Sequence, residues 1–184
     1  SNGEIVQPQS FIGIAEDNGL LDAIDRWVVN RAIEVLAERK RNGHDTRMVV
    51  KVSPASFADN RLLDLIARQL AAHDVPGDRL WLQTPEAKVF THLRNAQQFL
   101  AAVAPLGCRI GLEQFGSGLD SFQLLAHFQP QFLKLDRDFT RDVASTREHS
   151  EKISEIFAVS RLQVLKGGIS VRSIPELFSE KFKP

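Results

Sequence analysis

Arg109-Ile110-Gly111-Leu112, then Ser121 to Phe128, then Phe132-Leu133-Lys134-Leu135: these three segments decide the fold class. The outer two are short apolar runs, the signature of buried strands, and the middle one has helical character. The same strand–helix unit recurs toward the N-terminus. Leu80-Trp81-Leu82 is a strand entered from the turn Pro76-Gly77 and followed by a helix over Phe90 to Val103, which Leu106-Gly107 closes. Before it, the β-branched run Met48-Val49-Val50-Lys51-Val52 predicts a buried strand. The helix after that strand has Leu62, Leu63, Ile66 and Leu70 as its core face, with Asp59 or Asn60 placed to cap it. Asp22 to Arg41 predicts a long amphipathic helix. Its apolar positions Ile24, Trp27, Val28, Ala32, Val35 and Leu36 recur at three and four residues, and Gly43 is placed to stop it. Toward the C-terminus, Arg147 to Ala158 has a helical pattern, Gln163-Val164-Leu165 a strand pattern, and Ser173 opens a last short helix.

Repeated strand–helix units imply parallel strands, because each parallel crossover needs a helix. A doubly wound sheet and a (β/α)8 barrel both satisfy this pattern. A full barrel usually needs ~250 residues, so a barrel built from this sequence is expected to be incomplete.

The 184 residues and 20.6 kDa suit one domain, expected to span 1–184, and no Gly/Ser-rich or Pro-rich linker divides it. Lys plus Arg is 23 and Asp plus Glu is 23. This zero balance argues against a general nucleic-acid binder, which needs a basic excess. The longest apolar runs are too short to cross a bilayer, so no membrane insertion is expected. No basic-then-apolar leader signals secretion, which points to a cytoplasmic protein. The one cysteine, Cys108, excludes an intrachain disulfide and a cysteine-based zinc site, and is expected as a small buried filler.

In either architecture, function belongs at the carboxyl ends of strands. The residues there are Lys51, Ser53 and Pro54; Gln83, Thr84 and Glu86; Glu113, Gln114, Phe115 and the loop Gly116-Ser117-Gly118; Lys134, Asp136 and Arg137; and Lys166-Gly167-Gly168. The glycine loop lacks the third glycine of a dinucleotide fingerprint and suits a turn needing positive φ. Lys134 and Asp136 share a strand face, as ligand groups or as a rim salt bridge. Glu113 beside Gln114 makes a poor divalent site and suits a hydrogen-bonded loop anchor better. His44, His73, His92, His127 and His149 form no ligand pair at helical spacing and are expected at the surface.

These segments resemble the EAL domains, the cyclic di-GMP phosphodiesterase family. The resemblance rests on Pro8 to Glu16 (PQSFIGIAE), Ile24 to Val28 (IDRWV), Val50 to Ser53 (VKVS), Leu82 to Glu86 (LQTPE), Leu112 to Gly118 (LEQFGSG) and Leu133 to Arg137 (LKLDR). They stand in family order with family-like spacing from Pro8 to about Ile156; the match is weak from Phe157 onward. The resemblance implies an α/β fold, a modified (β/α)8 TIM-like barrel of the EAL type, incomplete at both ends here because the Glu-Ala-Leu segment and the last strand and helix are not matched.

The departures carry the functional expectation. Where the family has its metal-binding Asn this chain has Lys51, and where it has a metal-binding Glu this chain has Gln83. Glu113 and Gln114 match the paired aspartates, Lys134 the catalytic lysine, and Asp136 the aspartate beside it. Both glutamates expected near Lys166 to Ile169 are missing. Metal-assisted phosphodiester hydrolysis needs cations to activate water and neutralise phosphoryl charge. Lys51 offers a fixed positive charge instead, able to meet a phosphate as a point charge.

The resemblance therefore implies a degenerate, non-catalytic receptor for cyclic di-GMP that needs no metal or cofactor. The Gln-Phe-Gly in place of Asp-Phe-Gly is similar to that of a degenerate member regulating type IV pili, which implies a PilZ-domain adaptor as protein partner. By the same resemblance Asp25 accepts hydrogen bonds from a guanine edge, and Phe115 stacks on the other guanine. Ser53, Gln83, Glu113 and Gln114 meet ligand or ordered water. Lys51 and Lys134 face phosphates, with Arg137 a weaker candidate for the same role. The structural alternatives are a dipole-favoured helix start for Asp25 and a core position for Phe115. An active phosphodiesterase and a ligand-free interaction module are the competing functions.

Overall fold

The structure, a computed structural model, describes residues 7–58, 60–118, 121–136, 163–166 and 169–170. Its helices are α1 (Ile12–Asp17), α2 (Leu21–Arg41), α3 (Arg61–Ala72), α4 (Glu86–Thr91), α5 (Leu93–Val103) and α6 (Ser121–His127). Its strands are β1 (Met48–Lys51), β2 (Leu80–Pro85), β3 (Arg109–Phe115), β4 (Phe132–Leu135), β5 (Gln163–Lys166) and β6 (Ile169–Ser170), and strand order follows chain order. This is an α/β fold with a parallel sheet, part of a (β/α) barrel. The helices expected over Arg147 to Ala158 and after Ser173 lie outside the described residues, as do Asp59, Arg137 and His149.

The chain forms two compact units, one from residues 1–82 and 94–108, the other from 83–93 and 109–184. In the first, α2 buries Val29, Ala32, Ile33, Leu36 and Ala37 together with Asp25, while Trp27 stays 70% exposed. This corrects the stripe expected from Ile24, Trp27 and Val28. The helix is apolar on two sides, and the buried side carries an aspartate near its start, so an apolar count selects the wrong side there. Gly43 ends the helix as expected, at φ 75°, with Gly43 N donating to Lys40 O and His44 N to Arg39 O. In β1 only Val50 is buried and Val49 is exposed. The run expected as a buried strand thus shows a strand's two-residue alternation.

The face of α3 is Leu62, Ile66 and Leu70, each contributing about 1.5–3 kcal/mol by burial, with Leu63 half-buried. Asn60 stands at its N-cap, but its side chain makes no capping hydrogen bond. Asp22 of α2 takes Arg26 at 2.6 Å and Arg61 of α3 at 2.9 Å, fastening the two helices at the surface. Phe57 and Phe99 stack with centroids 4.6 Å apart. Gly77 has no substitute, since a Cβ there would stand 1.9 Å from Leu106 O.

In the second unit, β3 and β4 pair in parallel with Gly111 opposite Phe132 and Leu112 opposite Leu133, and β4 pairs in parallel with β5. The Phe132 ring covers Gly111 where any Cβ would sit. β6 departs from the all-parallel expectation by running antiparallel to β5. Two residues separate these strands in the sequence, enough for a hairpin and far too few for a crossover helix. The helix expected over Phe90 to Val103 is also corrected: His92, at φ −127° and ψ 31°, separates α4 from α5. There, His92 N and Thr91 Oγ1 both turn back onto α4 carbonyls, on Val89 and Lys88. β3 runs on through Phe115, so residues expected in the following loop lie in the strand.

Candidate ligand-binding site

In the first unit, Asp25 projects from α2 toward the segment leaving β1. Its Oδ2 accepts from Ser53 N at 2.6 Å and from Ser56 Oγ at 2.6 Å. The carboxyl is buried, and that burial raises its pKa above the ordinary 3.8, against the opposing hydrogen bonds from Ser56 and Ser53. Asp25 is the fifth residue of α2, past the first turn that a dipole-favoured helix start requires. Ser53 Oγ accepts from Ala55 N at 3.2 Å and caps the turn Pro54–Phe57. Lys51 is exposed at the end of β1, two residues before Ser53.

In the second unit, Gln83 Nε2 donates to Glu113 Oε2 across 3.0 Å. Glu113 is buried within β3, in the strand rather than in the loop it was expected to anchor. An amide that points its N–H at the carboxylate presents a donor where a hard cation needs oxygen. Gln83 and Glu113 together offer one carboxylate, a poor donor set for a hard divalent cation. Gln114 is exposed at φ 55°, and the β3–β4 register shifts between Leu112 and Phe115. This bulge turns Gln114 outward between buried Glu113 and buried Phe115. Lys134 is half-buried in β4, and Asp136 follows that strand, its N donating to Phe115 O at 2.9 Å.

For Phe115 the structure shows the core position that was the structural alternative. Phe115 is fully buried and offers no open ring face in this conformation. The bulge at Gln114 reverses the alternation there, so a residue counted as rim points into the core. Arg137 lies outside the described residues, and for Lys166 only the backbone, at the end of β5, is described.

Two residues have structural roles that were not read from the sequence. Ser56 was not named at all. Glu86 was named only as following the second strand: it is buried at the start of α4, and its Oε2 accepts from Gly116 N at 2.9 Å. Gly116 has φ 96°, the positive value expected of the loop, and a Cβ on Gly118 would stand 2.7 Å from Glu86 Oε1. A carboxylate straight after Pro85 was the available signal, since few partners besides backbone N–H groups suit a charge at that depth. Thr84 Oγ1 and Ser121 Oγ are buried without a hydrogen-bond partner among the described residues. Among the same residues no group of three or more His, Cys, Asp or Glu is placed to hold a metal, and no helix is long and apolar enough to cross a membrane.

Parallel strands joined by helices define an α/β domain of the (β/α) barrel class. The EAL domain model matches residues 1–166, so the chain belongs to the EAL domain family. The chain is 55% identical to the FimX EAL domain of Xanthomonas citri solved in complex with c-diGMP, at a TM-score of 0.86, covering 98% of this chain and 73% of that one. It is 31% identical to the FimX EAL domain of Pseudomonas aeruginosa bound to c-di-GMP, at 0.80, covering 97% and 72%. Among curated proteins it is 27% identical over 162 residues to the cyclic di-GMP phosphodiesterase PdeF of Escherichia coli, covering 88% of this chain and 22% of that protein. It is 29% identical over 184 residues to the signaling protein YkoW of Bacillus subtilis, covering 98% and 23%. The chain thus spans under a quarter of the length of these two curated relatives.

Proposed function

We propose that residues 1–184 form one EAL-type domain that binds cyclic di-GMP without hydrolysing it and passes the signal on through protein contacts. The observation that carries this reading is the Gln83–Glu113 pair, an amide donor facing a carboxylate at the position of two family metal ligands. Binding of the dinucleotide then needs no cation. Lys51 and Lys134 meet its phosphates, Asp25, Ser53, Gln83, Glu113, Gln114 and Asp136 supply polar contacts, and Phe115 stacks only once its ring is uncovered. The 55% identity to a c-diGMP-bound FimX domain supports the ligand. It also supports a cytoplasmic role in type IV pilus regulation, with a PilZ-domain adaptor as partner; that extension is by analogy of fold and sequence.

The competing reading is a metal-dependent phosphodiesterase, favoured by the likeness to PdeF. Incubation with cyclic di-GMP in magnesium or manganese, followed by chromatography, separates the two. The receptor reading expects unchanged ligand; linear dinucleotide whose formation a chelator abolishes selects the enzyme.

A further inference from the structure

The turn that leaves β1 is held at two points of opposite chemistry. On the apolar side Phe57 is buried and stacks on Phe99. On the polar side the Asp25 carboxylate takes both the Ser53 N–H and the Ser56 hydroxyl on one oxygen. Ser56 is 3% exposed, so it is closed to a ligand in this conformation. Ser53 is half-buried, and its oxygen accepts from Ala55 N, while its hydroxyl hydrogen can still donate. The backbone of Ser53 is therefore fixed through its own N–H, while its side chain and that of Lys51, two residues earlier, remain directed by that backbone.

We propose that Ser56 is a positioning residue for ligand binding: through Asp25 it fixes the segment that carries Lys51 and Ser53, without touching the ligand itself. This rests on the proposed cyclic di-GMP binding. The Oδ2 of Asp25 is committed to the turn, so the contact of Asp25 with the dinucleotide falls to Oδ1. A charged acceptor shared by two donors in a buried setting makes a strong, directional clamp.

Calorimetric titration with cyclic di-GMP, well below the melting temperature, tests the clamp on the wild type, Ser56→Ala, Ser56→Thr, Asp25→Asn and the Asp25→Asn/Ser56→Ala double variant. Positioning expects Ser56→Ala to weaken binding roughly tenfold, ~1.4 kcal/mol. It also expects Ser56→Thr, which keeps the hydroxyl, to restore most of the affinity, and the double variant to bind about as weakly as the weaker single one. Wild-type affinity in Ser56→Ala, with a loss confined to Asp25→Asn, overturns the proposal and leaves Asp25 acting through direct contact alone. Equal loss in Ser56→Ala and Ser56→Thr overturns it as well. A folded wild-type protein that binds no cyclic di-GMP removes the receptor reading itself, and with it this role.

Discussion

Gln83 and Glu113 meet side chain to side chain at 3.0 Å, the amide N–H of one on a carboxylate oxygen of the other. A carboxylate has no hydrogen to give, so this arrangement fixes which face of the amide Gln83 presents. Gln83→Glu would place two carboxylates in hydrogen-bond range, which repel unless one is protonated or a cation lies between them. The variant is expected to melt below the wild type in chelator at pH 7 and to recover on adding magnesium or manganese. The wild type should show no such metal-dependent shift. Differential scanning fluorimetry checks this, and a metal response in the wild type equal to that of the variant would contradict it.

Phe115 is a core residue in this structure, fully buried beside the bulge at Gln114. Phe115→Ala should cost on the order of 3–5 kcal/mol of stability through the cavity it leaves. Denaturant unfolding measures this. A stability loss under about 1 kcal/mol, together with weakened cyclic di-GMP binding, would instead restore the stacking role.

Asp25 gives a pH dependence of fixed sign. Its folded-state pKa is raised above 3.8, chiefly by burial. The native state therefore holds this proton to higher pH than the unfolded chain does. The group's contribution to stability is fully present below 3.8 and is lost as pH rises through the folded value. The wild type is expected to gain stability relative to Asp25→Asn as pH falls from 7 to 4. That window lies above the range in which Asp22, whose pKa is lowered chiefly by its hydrogen bond from Arg26, gives up its own contribution. Melting curves at both pH values test the difference, and a gap that is constant or shrinks toward pH 4 contradicts the assignment.

Cys108 is buried just before β3, and burial, with a smaller push from the charge of Asp78, drives its thiol up to about 12. The thiolate is the reactive form, so iodoacetamide at pH 8 should leave the native protein unlabelled for hours and label it promptly in guanidinium. Mass spectrometry reads the outcome; native labelling at the rate of a free thiol would show the site to be open.

Much of the fold was legible because its signals are local. The apolar runs at Leu80, Arg109 and Phe132 mark real strands, and Gly43 ends α2 where a positive φ is needed. The face of α2 was misread because Ile24 and Trp27 are apolar without being buried, and burial is a tertiary property. The split at His92 and the bulge at Gln114 leave no strong mark in composition. The bulge matters most, since it decides that Gln114 faces out and Phe115 faces in. At the site, sequence position identified Gln83 and Glu113 but not their mutual hydrogen bond. Ser56 went unnoticed because a serine in a turn is common, and only a partner from 31 residues away gives it a role.

The most direct measurement is calorimetric titration of the protein with cyclic di-GMP, once in chelator and once in magnesium, with the cell contents then separated by chromatography. The account expects a saturable heat with the same dissociation constant in both buffers and only intact cyclic dinucleotide afterwards. Binding that appears only with magnesium, or linear product in the magnesium cell, would contradict it.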